Sequence, residues 1–219
     1  LNELRVPMHL NSGDLERLAA DGRVERIARR AILSLEGPAL AVVIEGFFRI
    51  FRNAAFARDV TLGLASRGDV LGGAAAFGGR SAESGAEALS EGRVLLIAPD
   101  RWAARAEAEP ELHLKMAFSL GRRVSRLQQR IVSLGRVGVE GRVAAGLLEL
   151  ADGFGRPVPG GVRLDLPLSQ DDLARIAGTT RETCSSVVAE FARRGLVSGG
   201  RLRGLILIDL EALASLGGI

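Results

Sequence analysis

The chain is poor in the residues from which cross-links and soft metal sites are made. Its 219 residues include one cysteine, Cys184, and two histidines, His9 and His113. A lone cysteine excludes any internal disulfide and fits a reducing compartment, the cytoplasm. One cysteine and two histidines leave little from which to build a zinc or iron–sulfur site, so neither a metal nor a cofactor is expected. Lysine is equally scarce. Lys115 stands alone and arginine supplies every other basic side chain, a bias that reads as genome composition. No apolar run approaches the ~20 residues of a membrane span. No charged-then-apolar signal segment opens the chain. With Leu1 where a methionine would stand, a few leading residues are expected to be missing.

What is present is an ordinary globular mixture, 47% hydrophobic and 25% charged, long enough for one large domain or two small ones. The net charge of +3 is mild, so any surface for nucleic acid must be local. Up to about residue 108 the chain carries short apolar stretches broken by glycine: "LAVVIEGFFRIF" (Leu40–Phe51), "VTLGLASRGDVLGG" (Val60–Gly73) and "RVLLIA" (Arg93–Ala98). Val60, Leu62 and Leu64 alternate with Thr61, Gly63 and Ala65, the period of half-buried strands in a small sandwich or barrel. A helix is expected ahead of them over Ser12–Asp21, with Ser12 as its N-cap.

The pattern changes near Pro110. Beyond it Ala117, Leu120, Val124, Leu127, Ile131 and Leu134 recur at three- and four-residue steps on a helix running from His113 to Leu134. Arg122, Arg123, Arg126, Gln128, Gln129 and Arg130 fill the outer positions. The bland alternative is a helix packed on its own domain. So narrow a seam with so polar a flank favours a parallel pairing with a second copy. "SLGRVGVEG" (Ser133–Gly141) then reads as a glycine hinge. A helix over Val139–Ala151, a glycine- and proline-rich loop over Gly153–Gly161 and a strand over Val162–Leu166 follow.

"LSQDDLARIAGTTRETCSSVVAEFARRGLV" holds two helix starts. Ser169 with Asp172 makes a capping box with aspartate in the acidic position, and Thr179 with Glu182 fits the usual one. Gly178 lies in the short turn between the helices and Gly195 stops the second. Two short helices on a tight turn make a helix-turn-helix, whose second helix meets base edges with its N-terminal residues. On this reading Ser169, Gln170, Thr179, Thr180, Arg181 and Glu182 face DNA. Arg181 can donate twice to guanine O6 and N7, and Glu182 can accept from cytosine N4. "GLVSGGRLRGLILI" reads as a winged hairpin with Arg201 and Arg203 at its tip, placed to touch backbone phosphates. Gly178 to Gly204 holds five arginines against two glutamates, the local basic surface required.

These segments resemble the family of bacterial regulators that includes the cyclic-AMP receptor protein and FNR. The resemblance runs through nearly the whole chain and is most specific at "LPLSQDDLARIAGTTRETCSSV" and at "IDLEAL" (Ile208–Leu213). The front half agrees in outline at "IEG" (Ile44–Gly46), "RGDVLG" (Arg67–Gly72) and "AEALSEGRVLLI" (Ala86–Ile97). It implies an α+β fold in three parts. These are an N-terminal β-roll of the cyclic-nucleotide-binding type (1–108), a long dimerisation helix (109–136) and a C-terminal winged helix-turn-helix domain (137–219). The implied partners are double-stranded DNA, a second copy of the chain across His113–Leu134, and RNA polymerase. Arg181 and Glu182 match the family's reading arginine and glutamate. Ser185 matches a serine used in the FNR branch, and Ser186 stands where arginine is usual. Cys184 occupies an inward-facing apolar position.

In the cyclic-AMP-binding members a glutamate follows the glycine of the "GDxxG" turn and an arginine–serine pair comes later. Gly72 and Gly73 stand at that turn, so the glutamate is missing. Arg80 and Ser81 supply the pair after a loop shorter than the family's. Cyclic AMP is therefore not expected as effector, and an unknown small molecule is left open. Two other readings stand beside this one. A haem-based gas or redox sensor of the same family would have His9 and His113 as available ligands. A β-barrel enzyme would need histidines clustered on strands, where none falls.

Overall fold

The computed structural model describes residues 10–35, 40–53, 59–72, 85–136, 138–199 and 204–218. It divides into two compact units, Leu1–Arg126 and Leu127–Ile219.

Among the described residues the first unit opens with helix α1 (Ser12–Leu18), prolonged by a 3-10 turn over Ala19–Asp21. Asn11, not Ser12, is its N-cap. The Asn11 side chain accepts from the Asp14 amide (3.0 Å) and the Asp14 carboxylate accepts from the Asn11 amide (2.9 Å). An asparagine ahead of the serine, with an acid three residues on, closes the box one position earlier than expected. Among the described residues eight strands follow: β1 (Gly22–Ile27), β2 (Ile32–Ser34), β3 (Leu40–Glu45), β4 (Phe48–Arg52), β5 (Val60–Ala65), β6 (Val70–Gly72), β7 (Gly85–Ala88) and β8 (Gly92–Ile97). They form two antiparallel sheets, ordered β1-β8-β3-β6 and β2-β7-β4-β5. This is the N-terminal β-roll.

The two faces of β3 explain its unbroken apolar run. Ala41 and Val43 point into the space between the sheets with Leu33, Phe48, Ile50 and Val94. Leu40 and Val42 point the other way, onto a layer of Leu15, Leu18, Trp102 and Leu112. A strand buried on both sides has no polar alternation to show. Gly46, between β3 and β4, sits at φ 95°, and a Cβ there would lie 2.6 Å from the Gly92 backbone. That turn requires glycine.

Helix α2 (Pro99–Ala108) and the first part of α3 (Pro110–Arg136) supply the outer layer. The lone lysine is here and is buried. Lys115 Nζ lies 2.8 Å from both Asp14 oxygens, tying α3 to α1. Burial raises the Asp14 pKa, but the bonds from Lys115 and the Asn11 amide, with the charges of Lys115 and Arg17, outweigh it and hold it below 3.8.

Helix α3 is longer than expected, and the glycine-rich stretch after it is mostly helical. α3 runs through Gly135 to Arg136, and α4 (Val139–Phe154) starts directly after Gly138. Residues 137–138 alone separate them. The second unit continues with β9 (Gly155–Val158), β10 (Gly161–Leu164), α5 (Gln170–Ala177), α6 (Arg181–Arg193), β11 (Val197–Ser198), β12 (Leu205–Leu207) and α7 (Leu210–Gly217). Its sheet is ordered β11-β12-β10-β9. The proline- and glycine-rich segment expected as loop is thus largely a hairpin arm, with Gly155–Val158 paired to Gly161–Leu164. Leu147, Leu150, Leu173, Ile176, Phe191 and Leu213 are buried beneath. This is the winged helix-turn-helix.

Candidate nucleic-acid interface

Ser169 caps α5 as its sequence implies. The Asp172 amide donates to Ser169 Oγ (3.2 Å), the Ser169 amide donates to Asp172 Oδ2 (2.8 Å), and Arg175 holds the other Asp172 oxygen (2.8 Å). Gly178 closes α5 in the left-handed region at φ 63°. Its amide turns back to Ala174 and Arg175, and the Thr179 amide bonds the Ala174 carbonyl at 2.9 Å. This closure takes up Thr179, so the start of α6 slips by one residue. Thr180, not Thr179, is the N-cap. Its Oγ1 accepts from the Thr183 amide (3.3 Å) and lies 3.0 Å from the Thr183 hydroxyl. The expected Thr179–Glu182 box is therefore not the cap.

The shift leaves the reading face intact. Arg181, Glu182, Ser185 and Ser186 are exposed, at the i, i+1, i+4 and i+5 positions of one helix side. Cys184, Val188 and Phe191 are buried on the opposite side. Thr180 is exposed and Thr179 half-exposed at the helix mouth. Gln170 is drawn inward, with Oε1 accepting from Cys184 Sγ at 3.8 Å. Burial pushes the Cys184 thiol up to about 12. A protonated, enclosed thiol is a core group.

The hairpin carrying the wing is formed, with Val197 opposite Leu207 and Ser198 opposite Ile206. Arg201 and Arg203 lie outside the described residues. So do Gly73, Arg80, Ser81 and His9 of the sensor readings. Gly72 ends β6 at φ 65°. Just before it, the Val70 carbonyl accepts from Arg123 of α3 at 3.1 Å. Sequence reading placed Arg123 only on the outer flank of the helix. The guanidinium is desolvated, which lowers its pKa against the pull of Asp69.

The helix seam lies open along the chain. Ala117, Leu120, Val124 and Ile131 are exposed, the last two at 53% and 69%, and Leu127 is half-buried. Leu114, Phe118 and Val132 widen the stripe, and His113 is exposed at its start. The Leu134 side chain lies outside the described part. Leu112, Lys115 and Met116 occupy the buried side of the same helix. Among the described residues no group of three or more histidine, cysteine or acidic side chains could hold a metal, and no helix is long and apolar enough to cross a membrane.

Known proteins share this sequence and architecture. The model of the Crp-like helix-turn-helix domain matches residues 141–216. A CRP-like cAMP-activated global transcriptional regulator of Mycobacterium tuberculosis is 31% identical over 180 residues, 81% of this chain and 79% of that protein. The transcriptional regulator SdrP of Thermus thermophilus is 30% identical over 174 residues, 80% of this chain and 81% of its own. A solved transcriptional regulator of the CRP family, also from Thermus thermophilus, superposes with a TM-score of 0.71 at 29% identity, covering 89% of this chain and 97% of that one.

Proposed function

The chain belongs to the CRP/FNR family of transcription regulators, which bind DNA and are not enzymes, and from that premise we propose that it reads a palindromic promoter site as a cytoplasmic homodimer. The observation that carries this reading is the face of α6: four exposed polar side chains, Arg181 and Glu182 among them, opposite a buried apolar side. With α6 in the major groove, Arg181 donates to guanine and Glu182 accepts from cytosine. The α6 amides and the wing arginines Arg201 and Arg203 take phosphates. Ser186 is shorter than the arginine usual there, so one base pair of each half-site is read weakly.

The division of labour is a sensing domain over 1–108, a dimerising helix over 109–136 and a DNA-binding domain over 137–219. The exposed stripe on α3 is the surface a second copy covers, which sets two α6 helices about 34 Å apart, one turn of DNA. RNA polymerase is the further partner at the promoter. Cyclic AMP is not the controlling ligand. Gly73 offers no carboxylate to the ribose, and a buried hydroxyl left without its acceptor costs about 1–3 kcal/mol.

Selection of bound sequences from random duplex DNA, run without nucleotide, tests the reading. A palindrome should emerge, and Arg181→Ala should relax preference at one base pair per half-site, by about 1–3 kcal/mol. An unchanged preferred sequence would overturn the docking of α6. A requirement for cyclic AMP would overturn the effector reading alone.

A further inference from the structure

Helix α5 ends on two carbonyls, Ile176 and Ala177, that its own cap does not take. The Gly178 and Thr179 amides turn back to Ala174 and Arg175 instead. Guanidinium groups from two other helices occupy the ends left over. Arg142 of α4 donates Nε to the Ala177 carbonyl at 3.0 Å. Arg130 of α3 donates Nη2 to the Ile176 carbonyl, and its Nη1 lies 3.4 Å from Glu149 of α4. A helix C-terminus presents unpaired carbonyls and partial negative charge, so a cation there is favourable on both counts.

The two arginines hold different things. Arg142 belongs to α4, inside the same three-helix core as α5, and its bond stays within the domain. Arg130 belongs to α3, the helix that carries the open apolar stripe. The backbone between α3 and α4 is only residues 137–138, and a Cβ on Gly138 would meet nothing within 4 Å. Arg130 bridges α3 at once to α4 through Glu149 and to α5 through Ile176. The clamped carbonyl lies five residues before Arg181, across a three-residue turn with little slack.

We propose that Arg130 is a positioning residue for DNA reading: it fixes the recognition helix to the end of the long helix and so sets the spacing at which two half-sites can be read together. The inference rests on the homodimer reading above. It predicts separate effects on one half-site and on two.

The test uses the full chain and three sets of duplexes: a single half-site, the selected palindrome, and palindromes whose spacer is changed one base pair at a time. Arg130→Ala should leave the half-site preference and single half-site affinity unchanged. It should weaken the best palindrome about tenfold and flatten the dependence on spacing. Glu149→Gln takes the charge from one arm of the bridge and should fall between. Arg142→Ala should weaken single and paired sites alike. A sharp, unshifted spacing profile in Arg130→Ala would overturn the proposal, as would equal losses on single and paired sites. If the unaltered chain gains nothing from a second half-site, the homodimer reading itself fails, a different outcome from either.

Discussion

Two arginines, one in each unit, are placed in opposite ways. In the β-roll, Arg49 is 1% exposed, and its guanidinium is enclosed by Glu87, Asp59 and Thr61. It also lies 4.9 Å from the centre of the Phe51 ring. Arg30 reaches the other Glu87 oxygen at 3.1 Å. In the winged-helix unit Arg181 is exposed at the start of α6. A buried charge is costly to strand, while an exposed one is cheap to remove and matters only when a partner arrives. The first kind of arginine therefore secures a fold, and the second carries recognition.

Breaking the enclosed network should have the largest effect. Arg49→Ala leaves Glu87 buried with one cation fewer, and about 3–5 kcal/mol of stability should go with it. Denaturant unfolding would show this as a lower midpoint. Arg181→Ala should shift the midpoint hardly at all. Equal losses in the two variants would erase the distinction drawn between the two arginines.

The next effect concerns the open stripe of α3. Leu127→Glu with Ile131→Glu puts four carboxylates into the seam of a dimer but strands no charge in a single chain, because Ile131 is 69% exposed and Leu127 half-buried. Folding should survive, light scattering should report a monomer, and affinity for the palindrome should fall on the order of a hundredfold as the linked second site is lost. A double variant that stayed dimeric would move the interface off this face.

A smaller effect sharpens the comparison inside the DNA-reading unit. Thr180→Ala should cost about 1 kcal/mol through loss of the α6 cap. Thr179→Ala should cost less, since the backbone amide and not the side chain of Thr179 joins the turn. Thermal melting of the two variants decides the order.

That pair also shows where sequence is a good guide and where it is not. The apolar stretches of β3, β4 and β8, the open stripe of α3, the Ser169 box and the face of α6 are legible in local spacing, whereas β1, β2 and β7 are not. In β5 Thr61 is buried where Val60 is expected to be. The cap of α6 lies one residue beyond its expected place because the return of the Thr179 amide to Ala174 is a property of the closed turn, not of residue type. β9 hides in a proline- and glycine-rich stretch whose pairing with β10 overrides its composition. The charged contacts are out of reach altogether. Arg49 and Glu87 are 38 residues apart, Lys115 and Asp14 are 101, and Arg130 and Ile176 are 46. The solitary lysine does stand out in the composition. That it is held between two carboxylate oxygens in a closed space, where the compact ammonium group sits, only the packing reveals.

The smallest effect is expected of oxidants. Cys184 is the only thiol, so any thiol-dependent response of a single chain must come from it. It is fully buried between α6 and α5, and burial raises its pKa from 9.0 to about 12. The thiolate is the reactive form, and at neutral pH the folded chain holds almost none. Maleimide labelling should be slow in the native protein and fast in denaturant, and peroxide should leave DNA affinity unchanged. The sign of the pH effect follows from the same shift. The folded state holds the proton more tightly than the unfolded one, so the contribution is fully present below pH 9 and is lost as pH rises towards 12. Cys184→Val should flatten that alkaline loss. A reversible change of DNA affinity under mild oxidation, abolished in Cys184→Val, would make this core residue a switch and place a sensor in the reading unit itself.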